Sequence, residues 1–117
     1  MNEVVLNKLI ELAKKKRTIT YQELSDQCNL GLVMTDSEFV RAEIGRILGE
    51  ISRHEHLAKR PLLRSLVIAK YSSEQGDGFY KLCEELGYGC WRKLKKDITF
   101  DSMQMNRCFD YWGKNAG

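Results

Sequence analysis

Between residues 35 and 56 the chain repeats its apolar residues at the spacing of a single helix. Val40, Ile44, Ile47, Leu48 and Ile51 fall on one side of the cylinder, so that side has to be covered by the rest of the protein. The opposite side carries Ala42, Gly45 and Gly49, bordered by Arg41, Arg46 and Arg53. Each glycine inside a helix costs about 1 kcal/mol relative to alanine. A stripe of minimal side chains that carries this cost reads as a surface that something large approaches closely. The flanking arginines make that visitor anionic, and a nucleic-acid groove or backbone fits the description. The same residues also fit a second reading, close packing against another helix of this chain or of a second copy.

The totals limit the options. A chain of 117 residues with 43% hydrophobic and 30% charged residues is expected to fold as one soluble domain, 1–117, with an ordinary core. Its net charge of +3 permits a polyanionic partner without demanding one. Cys28, Cys83, Cys90 and Cys108 form no Cys-x-x-Cys pair, which predicts packing residues in a reducing compartment and no metal site. The first ten residues lack the basic start and apolar run of a secretory signal. No window approaches the roughly 20 apolar residues of a membrane span. The expectation is a small basic cytoplasmic protein with no membrane partner.

In chain order, Val5, Leu9, Leu12 and Ala13 predict a first helix over about residues 2–16, closed by Lys14, Lys15, Lys16 and Arg17. Ile19 is expected in a short strand or extended link. Thr20 and Glu23 make a capping box for a second helix, 21–28. Gly31 lies in the following turn, and Thr35 with Glu38 repeats the capping-box pattern before the long helix. Short helix, turn and longer helix make the helix-turn-helix outline. After Pro61, the apolar run 62–69 reads as a strand, 71–78 as a flexible loop, and Phe79 and Tyr80 as a return strand. A helix ending at Leu86 and Gly87 should follow, then a basic segment around Trp91, then a final helix capped by Asp101 or Ser102 and docked through Tyr111 and Trp112. The predicted class is α+β, mostly helical: a winged helix-turn-helix core with a small β-wing and additional N- and C-terminal helices.

Four stretches carry a resemblance. They are Ile19-Thr20-Tyr21-Gln22-Glu23-Leu24, Arg41-Ala42-Glu43-Ile44-Gly45-Arg46-Ile47-Leu48-Gly49, Pro61-Leu62-Leu63-Arg64 and Gly76-Asp77-Gly78-Phe79-Tyr80. In this order they resemble the DNA-binding half of the alkylguanine-DNA alkyltransferases and their non-catalytic alkyltransferase-like relatives. The resemblance spans about half the chain. It implies that the small-residue helix enters a minor groove, with Arg41 filling the space of a flipped base. It also marks a departure. Where the family places a cysteine and then a histidine after the proline, this chain has Leu62 and Leu63, which supply neither thiolate nor base. Alkyl transfer by that route is excluded.

Other candidate chemistry has plainer readings. His54 and His56 diverge by about 200° on a continuous helix and cannot share one ion. They read as surface residues at a helix end. Glu38, Glu43, Glu50 and Glu55 alternate with the arginines of the long helix, as on a solvated, ion-paired surface. Arg92, Lys93, Lys95 and Lys96 surround Trp91 and Leu94, as in an amphipathic turn with its apolar residues inside. Gly76-Asp77-Gly78 lacks the lysine and hydroxyl residue of a phosphate-binding loop. No set of acid, base and nucleophile assembles, so the expected protein is not an enzyme and needs no cofactor. The leading expectation is duplex DNA binding through Arg41, Ala42, Gly45, Arg46, Gly49 and Arg53, with backbone contacts from Arg60, Arg64 and Lys70. The alternative is a protein-interaction module (an adaptor, an inhibitor or a component of a defence or toxin system) or a homodimer using the same helix face.

Overall fold

A computed structural model describes residues 1–35, 37–69 and 75–114. In order the elements are α1 (Glu3–Lys14), β1 (Ile19–Thr20), α2 (Tyr21–Gln27), α3 (Glu38–Leu57), a 3₁₀ turn (Leu63–Leu66), β2 (Val67–Ile68), α4 (Asp77–Glu85), α5 (Trp91–Lys96) and α6 (Phe100–Lys114). The fold is α+β and mostly helical, with one two-stranded parallel sheet in which Ile19 faces Val67 and Thr20 faces Ile68.

Local chemistry sets the helix starts. Asn2 caps α1, its side-chain oxygen accepting from the Val5 amide at 3.0 Å. At α2 the capping box forms in both directions. The Glu23 amide donates to Thr20 Oγ1 at 3.2 Å, and the Thr20 amide donates to Glu23 Oε1 at 3.1 Å. The cap of α3 is Ser37, which accepts from the Val40 amide at 3.4 Å. Thr35 and Glu38 therefore do not form the expected box; the helix begins later because Ser37 is the hydroxyl that adjoins its first turn.

The helix ends share one device. Lys16, Asn29, Lys59 and Gly87, each two residues beyond the last residue of α1, α2, α3 and α4, all have positive φ, of 55°, 54°, 60° and 92°. The next amide in each case turns back into the helix. Arg17 donates to the Leu12 carbonyl at 2.9 Å, Leu30 to Ser25 at 2.9 Å, Arg60 to Glu55 at 2.9 Å and Tyr88 to Cys83 at 3.0 Å. These are Schellman closures, and three of the four place a non-glycine residue in the left-handed region.

Two apolar clusters form the core. The larger joins Val5, Leu9 and Ala13 of α1, Leu24 of α2, Ile44, Leu48 and Ile51 of α3, Leu63 and Leu66 of the 3₁₀ turn and Cys108 of α6. Trp112 and Phe109 pack against it, so α6 docks onto α1 as expected. The smaller cluster gathers Leu62, Phe79, Tyr80, Cys83 and Phe100, with Trp91 and Leu94 at its edge. Cys28, Cys83 and Cys108 are buried free thiols, whereas Cys90 is exposed at the start of α5.

Two expectations fail in the segment after Pro61. The apolar run 62–69 is mostly a 3₁₀ turn, and only Val67 and Ile68 are strand. Residues 62–67 are all buried, Arg64 and Ser65 included, so no alternation marks a pleated surface and the apolar content fits either geometry. Phe79 and Tyr80 are not a return strand but lie in α4, where Phe79, Leu82 and Cys83 bury one helical face. The Tyr80 hydroxyl donates to Asp101 at 2.7 Å, tying α4 to the first turn of α6. That helix starts at Phe100, ahead of the expected caps Asp101 and Ser102. Of the expected wing loop, residues 71–74 lie outside the described residues, as does Lys70.

The left-handed caps give a direct test. A β-carbon in that region costs about 1 kcal/mol, which glycine does not incur. Lys16→Gly is expected to stabilise the protein by up to about that amount, read as a higher denaturant midpoint with an unchanged slope.

Candidate nucleic-acid interface

The turn before α3 is held by polar side chains of α2. Ser25 is buried, its hydroxyl donating to the Leu32 carbonyl at 2.7 Å and accepting from the Leu32 amide at 3.0 Å. Gln22 adds two more bonds. Its amide nitrogen donates to the Leu32 carbonyl at 3.1 Å, and its oxygen accepts from the Met34 amide at 2.9 Å. These bonds satisfy backbone groups that a turn leaves without ladder partners, and they fix where α3 begins. Arg41, one turn into α3, donates to the Met34 carbonyl at 3.1 Å, which lays its side chain back over this turn.

The small-residue stripe is partly open and partly closed. Ala42 is exposed, Gly45 is half-buried, and a β-carbon built on Gly45 would meet no atom within 4 Å. Gly49 differs: it is buried, and a β-carbon there would come within 3.0 Å of Arg53 Nη1. Arg53 folds over Gly49 because Glu85 of α4 holds its guanidinium through Nε and through Nη2, the latter at 3.0 Å. Arg46 is held as well, at 2.6 Å from Glu43 and 3.3 Å from Glu50. Glu50 also meets the N-terminal amine at 2.9 Å. Hydrogen bonds from Arg46 hold the Glu43 carboxyl below its ordinary range, bonding to the N-terminal amine does so for Glu50, and bonding to Arg53 does so for Glu85.

Two of the expected backbone contacts point inward. Arg60 donates through Nε and Nη2 to Glu55 Oε2 at 3.0 and 2.7 Å, and Glu55 is only 1% exposed. Pairing is what permits a carboxylate on the buried side of α3. Arg64 is 8% exposed. Its Nη1 donates to the Gly78 carbonyl at 3.4 Å, and its Nε has no hydrogen-bond partner. Arg64 is carried inside by the buried segment 61–67, whereas Arg60 stays half-buried with its guanidinium taken up by Glu55. Sequence patterning does not reveal this, since both arginines adjoin a proline-led apolar run and read as its polar flanks.

Arg41, Ile44, Gly45 and Arg64 meet around a cleft of about 760 Å³. Thr20, Tyr21 and Gln22, from the start of α2, form a second wall, and residues 76–78, at the start of α4, form part of the rim. The open half of the stripe and the mouth of the cleft are thus one continuous surface. Tyr21 and Gln22 carried no site role in the sequence reading. Their position just after the Thr20 cap, on the helix preceding the turn, was the signal that could have placed them there.

His54 Nδ1 lies 3.1 Å from Glu55 Oε2, and His56 stacks near Tyr88 with ring centroids 5.8 Å apart. Among the described residues no group of three His, Cys, Asp or Glu could hold a metal ion. Leu62 and Leu63 are fully buried in the two apolar clusters. Trp91 is half-buried, with Lys81 Nζ 5.1 Å and the Arg92 guanidinium 4.7 Å from its ring centroid, so the ring already makes cation–π contacts within the protein. No helix among the described residues is long and apolar enough to cross a membrane. Comparison of the chain with family models, with curated proteins and with solved structures gives no match.

The open space at Gly45 predicts that Gly45→Ala fits without rearrangement and stabilises the protein by about 1 kcal/mol, the helix-propensity difference. Equilibrium unfolding in urea checks it. Gly49→Ala should gain less, because the Arg53 guanidinium has to shift.

Proposed function

We propose that this protein is a non-enzymatic nucleic-acid-binding protein of winged-helix type, contacting duplex DNA through the N-terminal half of α3. One observation carries the reading. Gly45 occupies a helix interior where alanine would be more stable and where nothing among the described residues needs the room. A helix backbone left bare toward the outside, beside Arg41, is suited to close approach by a sugar-phosphate backbone or a groove wall. Arg41 is the central cation of this surface, since among the described residues it bonds to the Met34 carbonyl and to no carboxylate. Arg46 and Arg53 stand in reserve behind Glu43, Glu50 and Glu85. Gly49, beneath Arg53, is a supporting position and not a contact. The order α2, turn, α3 is compatible with a helix-turn-helix. The likeness of the four short motifs to the alkyltransferase-like proteins supports the same reading, without their catalytic centre.

The test is a fluorescence-anisotropy titration against random duplex DNA at two salt concentrations. Affinity is expected to fall steeply with salt, and Arg41→Ala to lower the salt slope by about one. Gly45→Leu should remain folded and bind at least about tenfold more weakly, a loss of roughly 1.4 kcal/mol. Binding by Gly45→Leu equal to that of the parent would refute close approach at α3.

The ion pairs add a pH dependence. Because the carboxyls of Glu43, Glu50 and Glu85 titrate below their ordinary range, their pairs are intact at neutral pH and are lost only as pH falls through those lowered values. Protonation would release Arg46 and Arg53 and remove negative charge from the face. DNA affinity should therefore rise on acidification, and the double substitution Glu43→Gln with Glu50→Gln should reproduce that rise at pH 7.

A second reading rests on a different observation. Phe39 is 79% exposed on the first turn of α3, and the charges behind it alternate in sign. Such a face suits a protein partner or a second copy of this chain. Light scattering separates the two: a stable dimer lost on Phe39→Asp substitution favours the protein partner.

A further inference from the structure

Among the described residues the charge of Arg64 has no counterpart. The residue is more than nine-tenths buried, no carboxylate lies within ion-pair distance of it among the described residues, and its only recorded bond is a long one to a carbonyl. The contrast within this protein is direct, because the other inward-turned arginine, Arg60, has Glu55. A guanidinium taken out of water without an anion carries a desolvation cost of several kcal/mol. Buried charges are ordinarily paired or serve a ligand. The position of Arg64 says which. It lines the cleft beside Ile44, which is only 1% exposed, so these two form its floor, while the exposed Arg41 stands at the mouth.

The geometry points to a small-molecule site: the cleft takes an organic anion with a compact charged head, carboxylate or phosphomonoester, on an apolar body of about one aromatic ring. The head sits between Arg64 and Arg41, and the body lies against Tyr21, Met34 and Ile44. The volume of about 760 Å³ is far larger than an inorganic ion needs and falls within the range of small-molecule sites. Among the described residues Asp77 at the rim is the one carboxylate bordering the cleft, and Lys95 neutralises it at 2.5 Å. Gly78 contributes by its missing side chain. A β-carbon there would come within 3.0 Å of Arg64 Nη2, so glycine leaves the guanidinium free to settle onto a ligand. This site does not depend on nucleic-acid contact at the outer face of α3.

The test uses three probes of similar size, benzoate, phenyl phosphate and neutral benzyl alcohol, each titrated to low millimolar concentration. Calorimetry gives the affinity, and amide chemical shifts give the location. Both anions, or one of them, should bind and shift the amides of Gly45, Gly76 and Gly78, and the tighter of the two assigns the head group. Arg64→Met preserves length and removes the charge, and it should weaken anion binding by about 30-fold or more. It should also raise the melting temperature in anion-free buffer, since it removes an unpaired buried cation. If this variant fails to fold, the shift map of the parent with Arg41→Gln decides the matter: weaker binding with the same shifted amides supports the site. Absence of anion binding to the parent, benzyl alcohol binding as tightly as the anions, shifts confined to α5, or full binding by Arg64→Met would each overturn it.

Discussion

Burial of one face of α3 governs this structure. Ile44, Ile47, Leu48 and Ile51 are all at most 8% exposed, and each stabilises the fold by roughly 1.5–3 kcal/mol when removed from water. A helix committed along that stripe cannot rotate about its axis without exposing the stripe. Everything on its other face is therefore fixed in direction: Ala42 and Gly45 outward, Arg41 over the turn, Arg46 and Arg53 along the flank. The main packing partner of α3 is the 3₁₀ turn, and that turn places Arg64 in the cleft with Ile44. An open helix face and the floor of a cleft are two results of one packing decision.

Polar groups then refine what the apolar stripe sets. Ser25 and Gln22 clamp the turn before α3, so the cleft wall at Tyr21 and the arginine at its mouth keep a fixed separation. Glu85 draws Arg53 across Gly49 and closes the C-terminal half of the small-residue stripe. The charge arrangement on α3 is thereby graded, from Arg41, which meets no carboxylate among the described residues, to Arg46 between two glutamates and Arg53 tied to another helix. A chain with a net charge of +3 can in this way present a local cation without a broadly basic surface.

Much of this was legible in the sequence where the signal is local. The period of α3, the Thr20–Glu23 box, the end of α4 at Gly87 and the docking of Trp112 all follow from spacing or capping chemistry. What could not be read are pairings between distant residues. Arg53 with Glu85, Arg60 with a glutamate on the buried side of its own preceding helix, and Arg64 under the chain all look like surface cations until packing is known. The run 62–69 misled for a related reason: full burial erases the alternation that separates strand from turn, and the helical signal in Phe79, Leu82 and Cys83 was outweighed by the expectation of a wing. At three helix ends the position is legible but the closure is not, since Lys16, Asn29 and Lys59 perform a role that sequence patterns assign to glycine.

The pairing of Ile19–Thr20 with Val67–Ile68 bears on how the molecule behaves at high concentration. Open sheets expose rows of unsatisfied amides and carbonyls along their margins, and those rows recruit further strands into aggregates. Here each strand contributes only two residues, and helices follow or precede both. The margin is too brief to nucleate addition of another chain, so the protein obtains a tie between remote segments without the self-association hazard that a longer sheet would bring.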